Sequence, residues 1–258
     1  INVNVTDISD ESGYIAALGK EAAAKAAAAW VRDEMTVGLG TGSTAYYFIQ
    51  EAGAMVRAGI RLRAVVTSEA TGKLAASFHI PVIPPEEAQT VDLAVDGVDA
   101  VDTDFCAVKG GGGALLREKI VAWKAKQVIW IMDESKRVKN LAGFPLPVEV
   151  LPFAASWAAD AVKELGGNAV CRQRDGKSFF TDNGNRILDV VFPKDRDPRL
   201  AAEAVRQIPG VLETGFFDRM CSRILIGTTG GVRELVNPNK EKAPLQGRTV
   251  PGWKNGCV

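Results

Sequence analysis

An apolar run at residues 35–39 leads directly into Gly40-Thr41-Gly42-Ser43-Thr44, and a helical pattern follows over residues 45–58. A strand that turns on glycines into a helix opens a crossover connection, and such connections join parallel strands. The pattern then repeats. Residues 61–67 read as a strand, 69–78 as a helix, 80–83 as a strand closed by Pro84-Pro85, and 91–95 as a strand ending at Asp96-Gly97-Val98-Asp99. Ahead of them, residues 20–34 are rich in alanine with Lys, Glu and Arg interspersed, which favours a helix. The alternation predicts an α/β fold, a Rossmann-like domain with a mainly parallel sheet whose ligand sites lie at the carboxyl ends of the strands.

Past Lys109-Gly110-Gly111-Gly112-Gly113, residues 114–126 read as a helix and 127–132 as a strand. Two prolines in Phe144-Pro145-Leu146-Pro147-Val148-Glu149-Val150 then break the pattern and predict a boundary. A helix at 156–165, strands at 169–174 and 187–192 flanking a turn at 182–185, and a helix at 198–207 suggest a smaller inserted α+β lid domain. Residues 223–227 read as a strand returning to the first domain. The expected division is 1–143 with 216–258 as the large catalytic domain and 144–215 as the small one; the tail from Asn237 is expected to be a surface extension.

Lys+Arg and Asp+Glu are equal at 31 each, so no net field gathers nucleic acid or an anionic membrane. Small molecules and copies of the same chain, as a homodimer or homotetramer, are the expected partners. No run reaches the ~18 apolar residues of a membrane span, and residues 1–12 are polar and acidic, which leads to the expectation of a cytoplasmic protein. Cys106, Cys171, Cys221 and Cys257 are scattered, with no Cys-x-x-Cys pair, and read as reduced structural thiols. The single histidine, His79, sits among Phe78, Ile80 and Pro81 and reads as structural. Proton chemistry must then rest on carboxylates, lysines or tyrosines.

Backbone amides, hydroxyls and a helix dipole converge at Gly40-Thr41-Gly42-Ser43-Thr44, which suits an anion such as phosphate. A tight structural turn is the alternative. The third glycine of a dinucleotide fingerprint is missing. Asp96 and Asp99 follow an apolar strand and can face one cleft, where repulsion or burial raises one pKa, or they can cap a loop. Lys109 before four glycines offers a cation and bare amides to a developing oxyanion, with a flexible loop as the alternative. Glu118, between Arg117 and Lys119, reads by itself as a solvated helix charge.

Taken in order, Val37-Gly38-Leu39-Gly40-Thr41-Gly42-Ser43-Thr44-Ala45, Val95-Asp96-Gly97-Val98-Asp99, the Lys109 to Ile120 segment, Phe144-Pro145-Leu146-Pro147-Val148-Glu149-Val150, Thr181-Asp182-Asn183-Gly184-Asn185 and Ile208-Pro209-Gly210-Val211 resemble ribose-5-phosphate isomerase type A. The resemblance implies interconversion of ribose 5-phosphate and ribulose 5-phosphate in the non-oxidative pentose phosphate pathway, without metal or cofactor. It implies Glu118 as the proton-transferring base, with Asp96, Asp99 and Lys109 completing the reacting end. Thr41, Gly42, Ser43, Thr44 and the amides of Gly110, Gly111 and Gly112 would bind substrate, with Lys20 and Lys136 as phosphate-side cations.

Two positions depart from the family pattern. Ala100 stands where a glutamate is usual, and Gly113 where alanine is common. A shifted or broadened aldose specificity is one alternative reading. Another is a non-catalytic sugar-phosphate sensor, which would not need the Asp, Asp, Lys, Glu set. A third, an amino-sugar-phosphate deaminase, would call for a histidine inside the motifs.

Overall fold

The computed structural model describes residues 11–238. Helix α1 (Glu11–Ala28) is followed by β1 (Thr36–Leu39), α2 (Ser43–Arg57), β2 (Arg63–Val66), α3 (Glu69–Ser77) and β3 (Val91–Gly97). Short strands β4 (Ala100–Val101) and β5 (Ala107–Val108) precede α4 (Leu115–Lys124) and β6 (Ala125–Asp133). Next come β7 (Leu146–Val150), α5 (Ala155–Glu164), β8 (Asn168–Cys171), β9 (Gln173–Arg174), β10 (Lys177–Ser178), β11 (Arg186–Val191), α6 (Pro198–Arg206) and β12 (Val211–Thr214). The last elements are β13 (Phe216–Phe217), β14 (Arg223–Thr228) and β15 (Gly231–Val236).

The central sheet runs β15-β14-β6-β3-β1-β2 and is parallel except for the edge strand β15. Alternate residues of its strands feed two cores. Val37, Leu39, Ile129 and Ile131 pack with α1 and α2 on one face, and Ala94, Val128, Trp130 and Met132 pack with Val121 of α4 on the other. Covering both faces is what lets the middle of these strands be apolar on both sides, as in the Val128 to Met132 run of β6. The alanines of α1 bring its backbone close to the sheet: Ala23, Ala24 and Ala27 are fully buried, and a Cβ on Gly19 would meet the Gly227 carbonyl. No helix among the described residues is long and apolar enough to cross a membrane.

Between β6 and β14 the chain forms a four-stranded antiparallel sheet, β12-β7-β11-β8, packed on α5 and α6. The prolines expected to break the pattern lie at the entry to β7, and Pro147 is inside that strand. A proline has no N–H to give a ladder, but its carbonyl accepts from Gly215 N–H, so the strand survives. The run at 80–83 shrinks to a single bridge, Val82 with Ala64, because Pro81 and Pro84-Pro85 remove the donors on either side. The 20–34 helix starts earlier, at Glu11, and stops at Ala28, beyond which Glu34 takes a left-handed φ of 66°.

Candidate active site

The carboxyl ends of β1 and β3 meet at a contact that only glycine permits: a Cβ on Gly40 would overlap the Asp96 carboxylate. Gly42 has φ 116°, a conformation that L side chains rarely adopt, and it caps α2, which starts at Ser43. Ser43 is exposed, whereas Thr44 is buried beside Gly97. The start of α3 lies close by. Ser68 caps it, accepting from Thr71 N–H at 3.0 Å. Thr41 Oγ1 joins the two helix starts, lying 2.7 Å from Thr67 Oγ1, 2.9 Å from Ser68 Oγ and 3.1 Å from Thr71 Oγ1. First-turn N–H groups have no partner within their own helix; at α3 Ser68 and Asp182 accept from them, so the start that suits an anion here is that of α2, which no side chain caps.

At the other end of the cleft Asp96, Lys109 and Glu118 are all buried. Lys109 Nζ is 3.0 Å from Asp96 Oδ2 and 3.4 Å from Glu118 Oε1, and it donates to the Gly97 carbonyl. The ammonium's three protons are thereby matched by three acceptors. Asp96 Oδ1 accepts from the backbone N–H groups of Gly97 at 2.8 Å and Thr41 at 3.2 Å. Glu118 Oε2 is buried with no partner among the described groups.

One ammonium facing two buried carboxylates leaves a negative charge uncompensated, and a proton held by the cluster removes it. Burial, opposed by Lys109 and reinforced by Asp96 and Asp99, pushes the Glu118 carboxyl up to about 8. Burial likewise raises Asp96 against the pull of Lys109. For Lys109 burial works downward, but the nearby Asp96 and Glu118 outweigh it and hold the amine above its ordinary value.

The glycine loop is tied down on both sides. Asp99 Oδ2 accepts from Gly111 N–H at 2.7 Å, and a Cβ on Gly111 would come within 2.8 Å of the same carboxylate. Arg172, from the four-stranded unit, donates to the carbonyls of Gly110 (2.7 Å) and Gly111 (3.2 Å) while pairing with Asp189. Gly113 has φ 86° and lies under the Phe179 ring, where a Cβ would overlap. Ala100 is buried in β4 opposite Val108.

Asp96, Asp99, Lys109, Glu118 and the Gly40–Thr44 turn therefore meet in one cleft. Lys20 follows Gly19, whose backbone touches Gly227 near the end of β14, and Lys136 closes the 3-10 turn after β6; both belong to the same carboxyl edge of the sheet. His79 lies exposed past the end of α3 with φ 60°. Sequence reasoning missed Thr67, Ser68, Thr71 and Arg172. A serine just before an acidic first turn, Ser68-Glu69, is a helix-start signal that could have located the first three. Arg172 carries no local signal, since its partners lie 61 and 62 residues away in the chain.

Residues 63–231 match the sequence family described as Ribose 5-phosphate isomerase A (phosphoriboisomerase A). The chain is 45% identical over 216 residues to the Ribose-5-phosphate isomerase A of Bacillus mycoides (strain KBAB4), covering 83% of this chain and 98% of that protein. Among solved structures, ribose 5-phosphate isomerase A from Methanocaldococcus jannaschii aligns with a TM-score of 0.79 at 41% identity, covering 84% of this chain and 97% of that one. A D-ribose-5-phosphate isomerase in complex with phospho-erythronic acid aligns with a TM-score of 0.80 at 36% identity, with 84% and 97% covered.

Proposed function

The chain belongs to the ribose 5-phosphate isomerase A family and interconverts D-ribose 5-phosphate and D-ribulose 5-phosphate; we propose that it does so with Glu118 as the base that moves the sugar proton. The observation that carries the assignment is the buried, unpartnered Glu118 Oε2 beside Lys109. In the aldose-to-ketose direction Glu118 takes the C2 proton and returns it to C1. A second proton passes between O2 and O1, with Asp96 or Asp99 as the shuttle and as the aid to ring opening. The intermediate's oxygen carries negative charge, which the Lys109 ammonium and the amides of Gly110 and Gly112 stabilise, the expected Gly111 amide being taken up by Asp99.

Ser43 and Thr44, with the amides that open α2, hold the phosphate end; Gly42 permits the turn. Thr41 braces that turn through its hydroxyl partners, and Lys20 and Lys136 supply cations at the same edge. Holding the phosphate places the short sugar against Glu118. No metal is needed in this scheme, and among the described residues no group of three or more His, Cys, Asp or Glu is placed to hold one. The two-part organisation, 144–215 against the rest, is supported by the separate core of the four-stranded sheet, although Ala100, Cys106 and Val108 also contribute to it. A cytoplasmic location and assembly as a homodimer or homotetramer complete the reading, the latter open to light scattering.

The test is a substrate panel run with chelator present, comparing ribose 5-phosphate with other aldose phosphates and with unphosphorylated ribose. Ketose formation confined to ribose 5-phosphate is expected. Broad turnover would favour a widened specificity, and no turnover of any sugar would sink the enzyme reading.

A further inference from the structure

Nothing in the first turn of α4 caps it locally: Ala114 occupies the cap position and makes no side-chain hydrogen bond. The two cations that flank Glu118 do the anchoring instead, and both reach the four-stranded unit. Lys119 Nζ pairs with Glu213 at 3.0 Å and donates to the carbonyls of Thr214 and Phe216. Arg117 donates from Nε to Asn183 Oδ1 at 2.7 Å and from a terminal nitrogen to the Asp182 carbonyl at 3.1 Å.

The turn that receives Arg117 is itself seated on a buried carboxyl group. Glu149 on β7 is fully buried, and its Oε1 accepts from Thr181 Oγ1 (3.0 Å), Asn183 Nδ2 (3.0 Å) and Asn185 Nδ2 (2.8 Å). Asn183 therefore passes the position of Glu149 on to Arg117, one amide serving both. Next to it, Asp182 Oδ2 accepts from Glu69 N–H at 2.7 Å, at the start of α3 on the opposite wall of the cleft. The same start carries the Ser68 and Thr71 hydroxyls that meet Thr41. The turn thus touches both walls at once.

We propose that Arg117 is a positioning residue for the isomerisation, clasping the first turn of α4 to the Asp182-Asn183 turn so that Glu118 keeps its place against the sugar. The proposal rests on Glu118 being the base. Small displacements of a base from its proton cost rate without costing binding, so the clasp acts on kcat. A planar fork is required, because a single ammonium cannot serve the Asn183 oxygen and the Asp182 carbonyl with the same geometry.

Arg117→Ala and Asn183→Ala are each expected to lower kcat for ribose 5-phosphate by about tenfold or more. Calorimetric titration with phospho-erythronic acid should still give wild-type stoichiometry, and the double variant should fall no further than the worse single one. Arg117→Lys should recover little of the loss. A merely structural role would lower the binding stoichiometry in step with kcat, and that result overturns the proposal, as do losses that multiply in the double variant or a kcat within about twofold of wild type. Glu118→Gln, measured alongside, separates the two readings. If it stays active, the base assignment fails and the clasp falls with it; if it is inactive while the Arg117 and Asn183 variants are not, the clasp alone falls.

Discussion

At the Thr41 end of the cleft the hydroxyls of Thr41, Thr67, Ser68 and Thr71 satisfy one another and the carbonyls of Leu39 and Gly40. At the Glu118 end one ammonium faces two buried carboxylates, and one carboxylate oxygen has no partner among the described groups. The first arrangement is neutral and closed, which suits a rigid platform for a ligand. The second stores unfavourable burial in Glu118, the base proposed above, and raises its pKa to about 8. Substitutions at the charged end should therefore act on rate, and those that remove a carboxylate should relieve the fold, while those at the hydroxyl end should act on binding or stability.

Glu118→Gln tests the contrast most severely. The amide keeps the shape but cannot take the proton, so kcat should fall by about 10² to 10⁴ and exchange of the sugar's C2 proton with solvent should fall with it. For the wild type, kcat/KM should rise with pH along a limb near the raised Glu118 value of about 8, because only the ionised carboxylate is a base. Stability should move the opposite way. A carboxyl whose folded pKa lies above the ordinary carboxylate range contributes fully below that range and loses its contribution as pH climbs towards about 8. Thermal melts should then show Glu118→Gln gaining on wild type from pH 5 to pH 8, by several degrees at the upper end. Equal melting temperatures across that range would mean that Glu118 is not strained by burial.

Lys109→Met removes the one cation and leaves Asp96 and Glu118 facing each other. Turnover should drop by about 10² to 10³, the range expected when a major stabiliser of the developing oxyanion is lost. Breaking a buried pair costs about 3–5 kcal/mol when the remaining charge stays ionised. Here the carboxylates can take protons, so the melting temperature should fall much more at pH 8 than at pH 5. A pH-independent loss would place the cost in packing against Phe217, whose ring centroid lies 5.7 Å from Lys109 Nζ.

The double change Ser43→Ala and Thr44→Ala moves to the other end. KM for ribose 5-phosphate should rise by about tenfold or more, while weak binding of unphosphorylated ribose, followed by competition, should hardly change. Equal weakening of both would make Gly40–Thr44 a structural turn and would dissolve the division of labour between the ends.

That division was only half legible in the sequence. The Gly40–Thr44 turn, Asp96-Gly97-Val98-Asp99 and Lys109-Gly110 announce themselves because turn, strand end and loop are local patterns. Glu118 did not: between Arg117 and Lys119 it reads as a surface charge, and only the family resemblance singled it out. Its burial depends on Asp96 and Lys109 arriving from other parts of the chain, which no local pattern encodes. Pro147 misled for a related reason. Its missing donor argues against a strand locally, but the use of its carbonyl by Gly215 is a long-range fact. Strands β4, β5 and β13 span two residues each, too few for any periodicity to register.

The smallest effect should come from Thr41→Val, and it sharpens the comparison most finely. Valine keeps the shape and removes an oxygen that lies within 3.1 Å of three other hydroxyls. Thr67 and Thr71 would keep their bonds to the carbonyls of Leu39 and Gly40, so no group at this end is left wholly unpaired. A stability loss of about 1–2 kcal/mol follows, the usual cost of removing one partner from a buried hydrogen-bonded group. Because the oxygen faces its own network, KM should move by less than about threefold, well short of the Ser43 and Thr44 effect. The two quantities read different roles. A melting temperature unchanged from wild type, together with a KM raised tenfold or more, would make Thr41 Oγ1 a direct ligand of the phosphate, and the hydroxyl end would then bind through its network rather than be braced by it.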